Sequence, residues 1–390
     1  MHRIPYWRLS GFYFFYFAFI GVFLPYFGLY LQSLSFSALD ISILMSQMQL
    51  MRLFGPYLWG ALADRIGKRV PIVRLACLMA LLVSTSFFLI RSFEAFLVAM
   101  AVLAFFWSAS LPLVETLTFE HLREGPERYS RIRIWGSIGF IATVMGAGAL
   151  LDLLEITSLL WMIVIPLVGT MAYAMAMPEA EPGLHPADHP PVWDILRQRR
   201  VLALFSACFS MSAAHGALYV FFSIFLSDHG YSKSAVGGLW SLGVLAEIAV
   251  FFYMSRLQRV YSLRTILLLS FSAAVLRFLM IGMGVELPVI IVLAQLLHGL
   301  TFGSFHAAAI TAVNRWFPGR TRSRGQALYS SLTFGAGGLV GGLISGWTWD
   351  HLGGALTFAL SSFFALVGLV LVTIWIPEKD VVMHRASAAI

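Results

Sequence analysis

Residues 113–140 read LVETLTFEHLREGPERYSRIRIWGSIGF. An apolar run carries Glu115, a charged turn follows, and a second apolar run holds Arg133 near its start. A carboxylate and a guanidinium therefore sit just inside two consecutive helices of membrane-spanning length. At mid-bilayer each costs about 2.5–3.5 kcal/mol on insertion scales, so such groups face a cavity or a partner and mark function. The pair is expected to lie beside a solute pathway.

The rest of the composition agrees with a membrane setting. Of 390 residues, 59% are hydrophobic and 12% charged, and the mean hydropathy is +0.83. A water-soluble surface cannot be built from so few polar residues, whereas a bilayer removes the need for one. The two cysteines, Cys77 and Cys208, lie in apolar runs, which gives neither a disulfide framework nor a metal spacing. The apolar run Leu9–Leu31 is too long for a signal-peptide core and lacks a small-residue cleavage site after it.

Working outward, twelve membrane helices are expected: 8–32, 41–62, 70–90, 95–119, 131–153 and 158–177, then 201–226, 234–255, 263–283, 287–315, 323–349 and 355–376. The expected domains are an N-terminal six-helix bundle over 1–177, a cytoplasmic linker over 178–200, a C-terminal six-helix bundle over 201–376 and a tail over 377–390. The linker, with its PEAEPGLHPADHPP stretch, is polar and proline-rich. Lys and Arg crowd one set of loops, among them Arg65, Lys68, Arg69, Arg128, Arg131, Arg256, Arg259 and Arg322, while the other set holds Arg91 and Lys233. The positive-inside rule then puts both termini in the cytoplasm of a multi-pass inner (plasma) membrane protein. It also explains the net charge of +7 without nucleic acid. Arg52, Arg133 and Arg277 remain within the spans. An offset of 195 aligns Phe27, Leu31, Ser37, Leu44, Ser46 and Leu50 with Phe222, Leu226, Ser232, Leu239, Ser241 and Leu245, a weak internal repeat of the kind transporters show. Gly335, Gly337, Gly338, Gly341, Gly342 and Gly346 crowd the eleventh helix, where small residues let backbones approach.

The loop after the second helix carries Gly60, Asp64, Arg65, Gly67, Lys68 and Arg69. It resembles the signature loop of the major facilitator superfamily at every characteristic position. That resemblance implies an all-α protein of twelve helices in two pseudo-symmetric six-helix bundles, with this loop acting as a conformational latch. Glycines permit tight turning, and Asp64 can pair with a cation or cap a helix N-terminus.

Glu115 and Arg133, within Arg131-Ile-Arg133-Ile-Trp135-Gly136, resemble the sugar-binding pair of the lactose permease (oligosaccharide:proton symporter) family. The sequence departs from that family where it stacks sugar on a Trp, here Phe140, and where it carries a proton-bearing Glu after a helix-10 His, here Thr301 after His298. The helix-11 Lys position falls on Phe334. A third stretch, Gly230 to Glu247, is similar to the phenylpropionate-transporter branch. Trp240, Gly243 and Glu247 fall there on one helical face. On the tenth helix Gln295, His298, Phe302 and Phe305 are expected to share a face, with His298 as a relay or a hydrogen-bond donor. His215 and His306 read as structural, and Arg277 as a ligand or as a lock for Glu247.

No P-loop, no H-E-x-x-H and no G-x-S-x-G occurs, so neither nucleotide-driven work nor membrane hydrolysis has a motif, and the chain reads as a non-enzyme without cofactor or metal. Work then comes from an ion gradient, with Glu247 and Glu115 as proton carriers. Three membrane arginines against two carboxylates favour an anion, since guanidinium forks match carboxylates. With Trp135, Phe140, Trp240, Phe302 and Phe305 as aromatic walls, the expected activity is proton-coupled import of an aromatic monocarboxylate such as phenylpropionate. Symport of a sugar or nucleoside is the alternative and drug or metabolite export the third. The expected partners are a small-molecule substrate, protons and the lipid bilayer, with the protein a monomer.

Overall fold

The computed structural model describes residues 4–122, 128–180 and 191–378, apart from the Arg320 side chain. Positions 181–190 of the expected linker and all but the first two residues of the expected tail lie outside the described residues, as do Arg3, Arg123, Lys379 and Arg385 of the charge pattern.

Among the described residues twelve long helical segments follow one another and no strand occurs. They are α1 (Tyr6–Ser33), α2 (Ala38–Ile66), α3 (Val70–Ser86), α4 (Phe93–Leu122), α5 (Tyr129–Leu151) and α6 (Leu159–Ala176). Then come α7 (Arg199–Asp228), α8 (Lys233–Val260), α9 (Leu263–Gly284) and α10 (Pro288–Trp316). The last run, Arg322–Trp375, is divided by Gly353, whose φ of 79° and ψ of 171° are not helical, into α11 over 322–352 and α12 over 354–375. All twelve expected spans are present.

Local chemistry fixes several ends. Ser37 opens α2 with a reciprocal capping box: its side chain accepts from Asp40 N at 3.1 Å, and Asp40 accepts from Ser37 N at 3.1 Å. Gly67 closes α2 at φ 69°, the left-handed conformation that a C-terminal glycine supplies without steric cost. Three irregularities follow no apolar periodicity. α7 breaks at His215, between helical runs ending at Ala214 and resuming at Gly216. α10 is π-helical over Gly299–Ser304, and α11 over Ser331–Gly337.

The chain packs as two compact units. One is Met1–Pro186 with Tyr219–Ser241, and the other is Ala187–Leu218 with Leu242–Ile390. Tyr219–Ser241, which sequence order places in the second half, thus packs with the first. Among the nine described helices long and apolar enough to cross a membrane, α1 and α7, separated by about the repeat offset, are the most enclosed, with 72% and 83% of their most apolar stretches buried against 33–50% for the other seven. In the first unit α1 lies on α5 so closely that a Cβ at Gly139 would strike the Phe14 backbone. In the second, Gly216 of α7 abuts the backbone of Gly341 and Gly342 on α11. Side chains such as Leu89, Leu153 and Met283 are more than four-fifths exposed, as lipid-facing residues are.

Candidate functional site

Arg133 lies in the first unit, one turn into α5. Its guanidinium carbon is 3.9 Å from the centre of the Phe17 ring and 5.8 Å from that of Tyr13, both on α1. The local sequence makes this possible: a Cβ at Gly136 would fall 2.6 Å from Phe17 and 2.8 Å from Arg133 Nη1, so only glycine leaves room for the arginine to lie along α1. Among the described residues Arg133 has no hydrogen bond and no ion pair. Glu115 on α4 accepts from the Tyr129 hydroxyl at 3.1 Å. Arg52, Glu115 and Arg133 all lie within electrostatic range of Tyr16. Tyr16 is stacked on Trp107, with centroids 4.3 Å apart and planes 5° from parallel.

The aromatic residues beside the charges differ in part from those singled out in the sequence. The Trp135 indole donates to the Tyr6 hydroxyl at 3.1 Å, that hydroxyl donates to Arg131 O at 3.2 Å, and the ring meets Trp7 edge-on at 5.7 Å. Trp135 thus belongs to a cluster at the start of α1. Phe140 is buried, with its carbonyl against Gly21. Tyr13, Tyr16, Phe17 and Trp107 occupy the surroundings of Arg133 and Glu115. Sequence reasoning missed them because α1 is aromatic throughout; the signals available were the spacing of Tyr13, Tyr16 and Phe17 along one face of α1 and of Trp107 two turns before Glu115 on α4.

The second unit holds another polar group. Arg277 on α9 is fully buried and engaged on every nitrogen. Nε donates to Ala294 O at 2.9 Å, Nη1 to Thr301 Oγ1 at 3.2 Å and Nη2 to Gln295 Oε1 at 3.1 Å, while His215 Nε2 lies 3.3 Å from Nη1. His215 is placed there by the break in α7. Thr301 holds the position where the resembled family has an acid, and here it helps anchor the arginine. Glu247 Oε2 on α8 is 3.9 Å from His298 Nε2. Gly243, one turn before Glu247, leaves room for both: a Cβ there would be 3.2 Å from Gln295 Oε1 and 3.3 Å from the His298 ring. Gln295 Nε2 and His298 Nδ1 are buried without hydrogen-bond partners among the described residues.

The π-helical turn re-registers α10. His298, Phe302 and His306 form a stacked column at 5.6 and 6.0 Å, and His306 Nδ1 is 2.8 Å from the Tyr329 hydroxyl. Phe305 is turned onto Phe271 instead. Trp240 lies in the first unit, where its indole donates to Ser223 Oγ at 3.0 Å and its ring meets Phe222 edge-on.

At the loop after α2, Asp64 is 72% exposed in its side chain and 3.9 Å from Arg69 Nη2. Arg69 is held more closely by Glu120, at 3.1 Å. Its amide and that of Val70 donate to Glu179, which thereby caps α3. Asp64 is thus only loosely held. No group of three or more His, Cys, Asp or Glu fit to hold a metal occurs among the described residues.

Comparison with known proteins adds four findings. The MFS_1 like family model matches residues 6–360. The chain is 29% identical over 353 residues to an Escherichia coli (strain K12) protein described as "Probable 3-phenylpropionic acid transporter", covering 89% of this chain and 92% of that one. It is 25% identical over 372 residues to the maltose permease of Geobacillus stearothermophilus, covering 95% and 94%. Among solved structures the nucleoside transporter NupG superposes with a TM-score of 0.80 at 17% identity, over 96% of this chain and 99% of that one.

Proposed function

The chain belongs to the MFS_1 like family, a secondary transporter with the twelve-helix fold of the superfamily, and from that premise we propose that it imports a small aromatic monocarboxylate together with protons. The observation that carries the anion is Arg133, whose fork is free of protein partners among the described residues while Phe17 and Tyr13 hold its face. The half-buried guanidinium has open in-plane donors, and a carboxylate can satisfy them through two parallel hydrogen bonds. Tyr16 and Trp107 offer aromatic surface near the same charges. The similarity to the E. coli protein supports the same substrate class.

The proton reading rests on Glu247 and Glu115, with His298 beside Glu247. A carboxylate withdrawn from water takes up a proton more readily, and one charge crossing 100 mV supplies about 2.3 kcal/mol. The bundles are proposed as 1–177 and 201–376, joined by a linker over 178–200. The protein is placed in the inner (plasma) membrane with both termini cytoplasmic, on the distribution of Lys and Arg, and as a monomer.

Sugar or nucleoside symport is the second reading, favoured by the Glu115/Arg133 spacing and by the maltose permease relative. A binding screen on the purified protein separates the two, comparing 3-phenylpropionate-type acids with sugars and nucleosides. It is followed by uptake into proteoliposomes under an imposed proton gradient. Aromatic acids are expected to bind and to accumulate. Binding of neutral sugars or nucleosides alone, unchanged by Arg133→Gln, would overturn the proposal.

A further inference from the structure

Tyr129 opens α5 one turn before Arg133, so the two side chains share a face of that helix. The Tyr129 ring is gripped from two other helices. It stacks on Phe119 of α4, with centroids 4.6 Å apart and planes 19° from parallel, and meets Tyr13 of α1 edge-on at 6.4 Å. Phe119 is one turn beyond Glu115 on α4. The stack that fixes the ring therefore also carries its hydroxyl to Glu115 Oε1, at 3.1 Å. Tyr129 and Glu115 are both half-buried.

Tyr13 cannot take over as the donor. The Thr118 hydroxyl donates to Val114 O at 2.6 Å, and the Tyr13 hydroxyl lies 3.3 Å from Thr118 Oγ1. A threonine has one hydroxyl proton, and it is spent on Val114. Tyr13 therefore gives its own proton to Thr118 and has none left for Glu115. Among the described residues, Tyr129 is the hydroxyl that serves the Glu115 carboxylate.

Arg133 acts electrostatically on Glu115, and Arg52 on α2 acts together with both on Tyr16. Yet Glu115 and Arg133 form no ion pair. The guanidinium lies on Phe17 with its in-plane donors open. A carboxylate and a guanidinium on neighbouring helices, partly withdrawn from water, attract each other strongly. Keeping them apart needs a competing contact on at least one side. On the carboxylate that contact is the Tyr129 hydroxyl, and on the guanidinium it is the Phe17 ring.

We propose that Tyr129 determines the specificity of this site: by holding Glu115 it keeps Arg133 open for the carboxylate of the solute. The proposal deepens the reading of the site given above and rests on it. With the hydroxyl removed, Glu115 turns to Arg133. The protein's own carboxylate then takes the fork that an acid would use through two parallel hydrogen bonds. The site loses its preference for an anion and keeps its aromatic surface for an uncharged solute. One phenolic oxygen thus decides whether the Glu115/Arg133 pair works as an open cation or as a neutral ion pair. Tyr129 is a positioning residue, acting on the solute through Glu115.

The test is a double-mutant cycle on the purified full-length protein. Calorimetry compares 3-phenylpropionate with its uncharged amide. Tyr129→Phe keeps the ring stacked on Phe119 and should bind the acid about tenfold more weakly, the worth of hydrogen bonds to a charged group. The amide should change by less than about twofold. Measured against Glu115→Gln, adding Tyr129→Phe should cost the acid less than about twofold, because no carboxylate remains to compete. Equal weakening of acid and amide, or the same loss in both backgrounds, makes Tyr129 a packing residue and overturns the proposal. A second readout needs no substrate. Phenylglyoxal modifies open guanidinium groups, and mass spectrometry of the peptide reports Arg133. Its modification should slow several-fold in Tyr129→Phe and recover in Tyr129→Phe/Glu115→Gln. An unchanged rate overturns the proposal. That slowing and recovery in a protein that binds no aromatic acid overturns the substrate reading and sustains the hold of Tyr129 on Glu115.

Discussion

The Arg133 guanidinium lies 3.9 Å above the Phe17 ring and 5.8 Å from the centre of Tyr13, with no hydrogen bond or ion pair among the described residues, while Glu115 is turned to Tyr129. The two charges that stand out in the sequence therefore form no direct ion pair. An aromatic face stabilises a cation by about 0.5–2 kcal/mol but leaves its in-plane donors open. On the proposed reading, that opening lets Arg133 serve as a recognition group.

Arg133→Gln should weaken binding of an aromatic monocarboxylate by about tenfold to 150-fold, the worth of hydrogen bonds to a charged group. Arg133→Lys should recover only part, because an ammonium cannot form the parallel pair. Phe17→Leu should cost less than either. Calorimetric titration of the purified variants checks all three. Equal affinities for Arg133→Gln and the parent would remove the residue from the site.

Glu115→Gln and Glu247→Gln separate binding from coupling. At least one is expected to retain substrate exchange while losing accumulation driven by a proton gradient, since a glutamine cannot release a proton. Counterflow and gradient-driven uptake in proteoliposomes distinguish the two activities. Full accumulation in both variants makes the protein a facilitator without coupling through these acids.

Much of the fold could be read in advance, because each span is a long apolar run bounded by turn chemistry such as Ser37 with Asp40, or Gly67. Glu115, Arg133 and Glu247 could be found because a charge inside an apolar run has few reasons to exist. The pairing of Tyr16 with Trp107 could not, since α1 carries aromatic residues on all sides and tertiary packing selects among them. The stacked column of α10 was hidden for a different reason. A π-helical turn adds a residue to the repeat, so a 3.6-residue period puts Phe305 where His306 belongs, although it does place Phe302 beside His298.

Asp64 is exposed and only 3.9 Å from Arg69, so it is poised rather than engaged. If its partner forms in another state of the cycle, Asp64→Asn should slow turnover by about two- to fivefold, the effect of one charge near a helix end. Substrate affinity under non-turnover conditions should stay the same. A matching loss of affinity would place Asp64 at the site instead.

Two glycines should respond in opposite ways. A methyl at Gly341 would strike the Ala213 backbone of α7, so Gly341→Ala should destabilise by about 1–3 kcal/mol or more. Nothing lies within 4 Å of a Cβ at Gly60, so Gly60→Ala should leave the melting temperature unchanged or raise it slightly. If Gly60 serves a latch that closes elsewhere in the cycle, the same variant should lose transport despite its stability. Melting curves in detergent, paired with uptake rates, read both effects.

Arg277 poses a sharper choice, because the sequence admits it as a ligand and the structure surrounds it with protein. Ala294 O, Gln295 Oε1 and Thr301 Oγ1 take its donors, and His215 lies against Nη1. Replacing it leaves buried acceptors without partners, a change that costs about 3–5 kcal/mol when a buried charge network loses a member. Arg277→Met should therefore lower the melting temperature and the yield of folded protein. The molecules that do fold should keep substrate affinity within about threefold, a change under 1 kcal/mol. Arg277→Lys should rescue little, because a single ammonium cannot reach partners spread over α7 and α10. Affinity measured per folded molecule decides the matter. A loss of more than about tenfold at an unchanged melting temperature would return Arg277 to the substrate site.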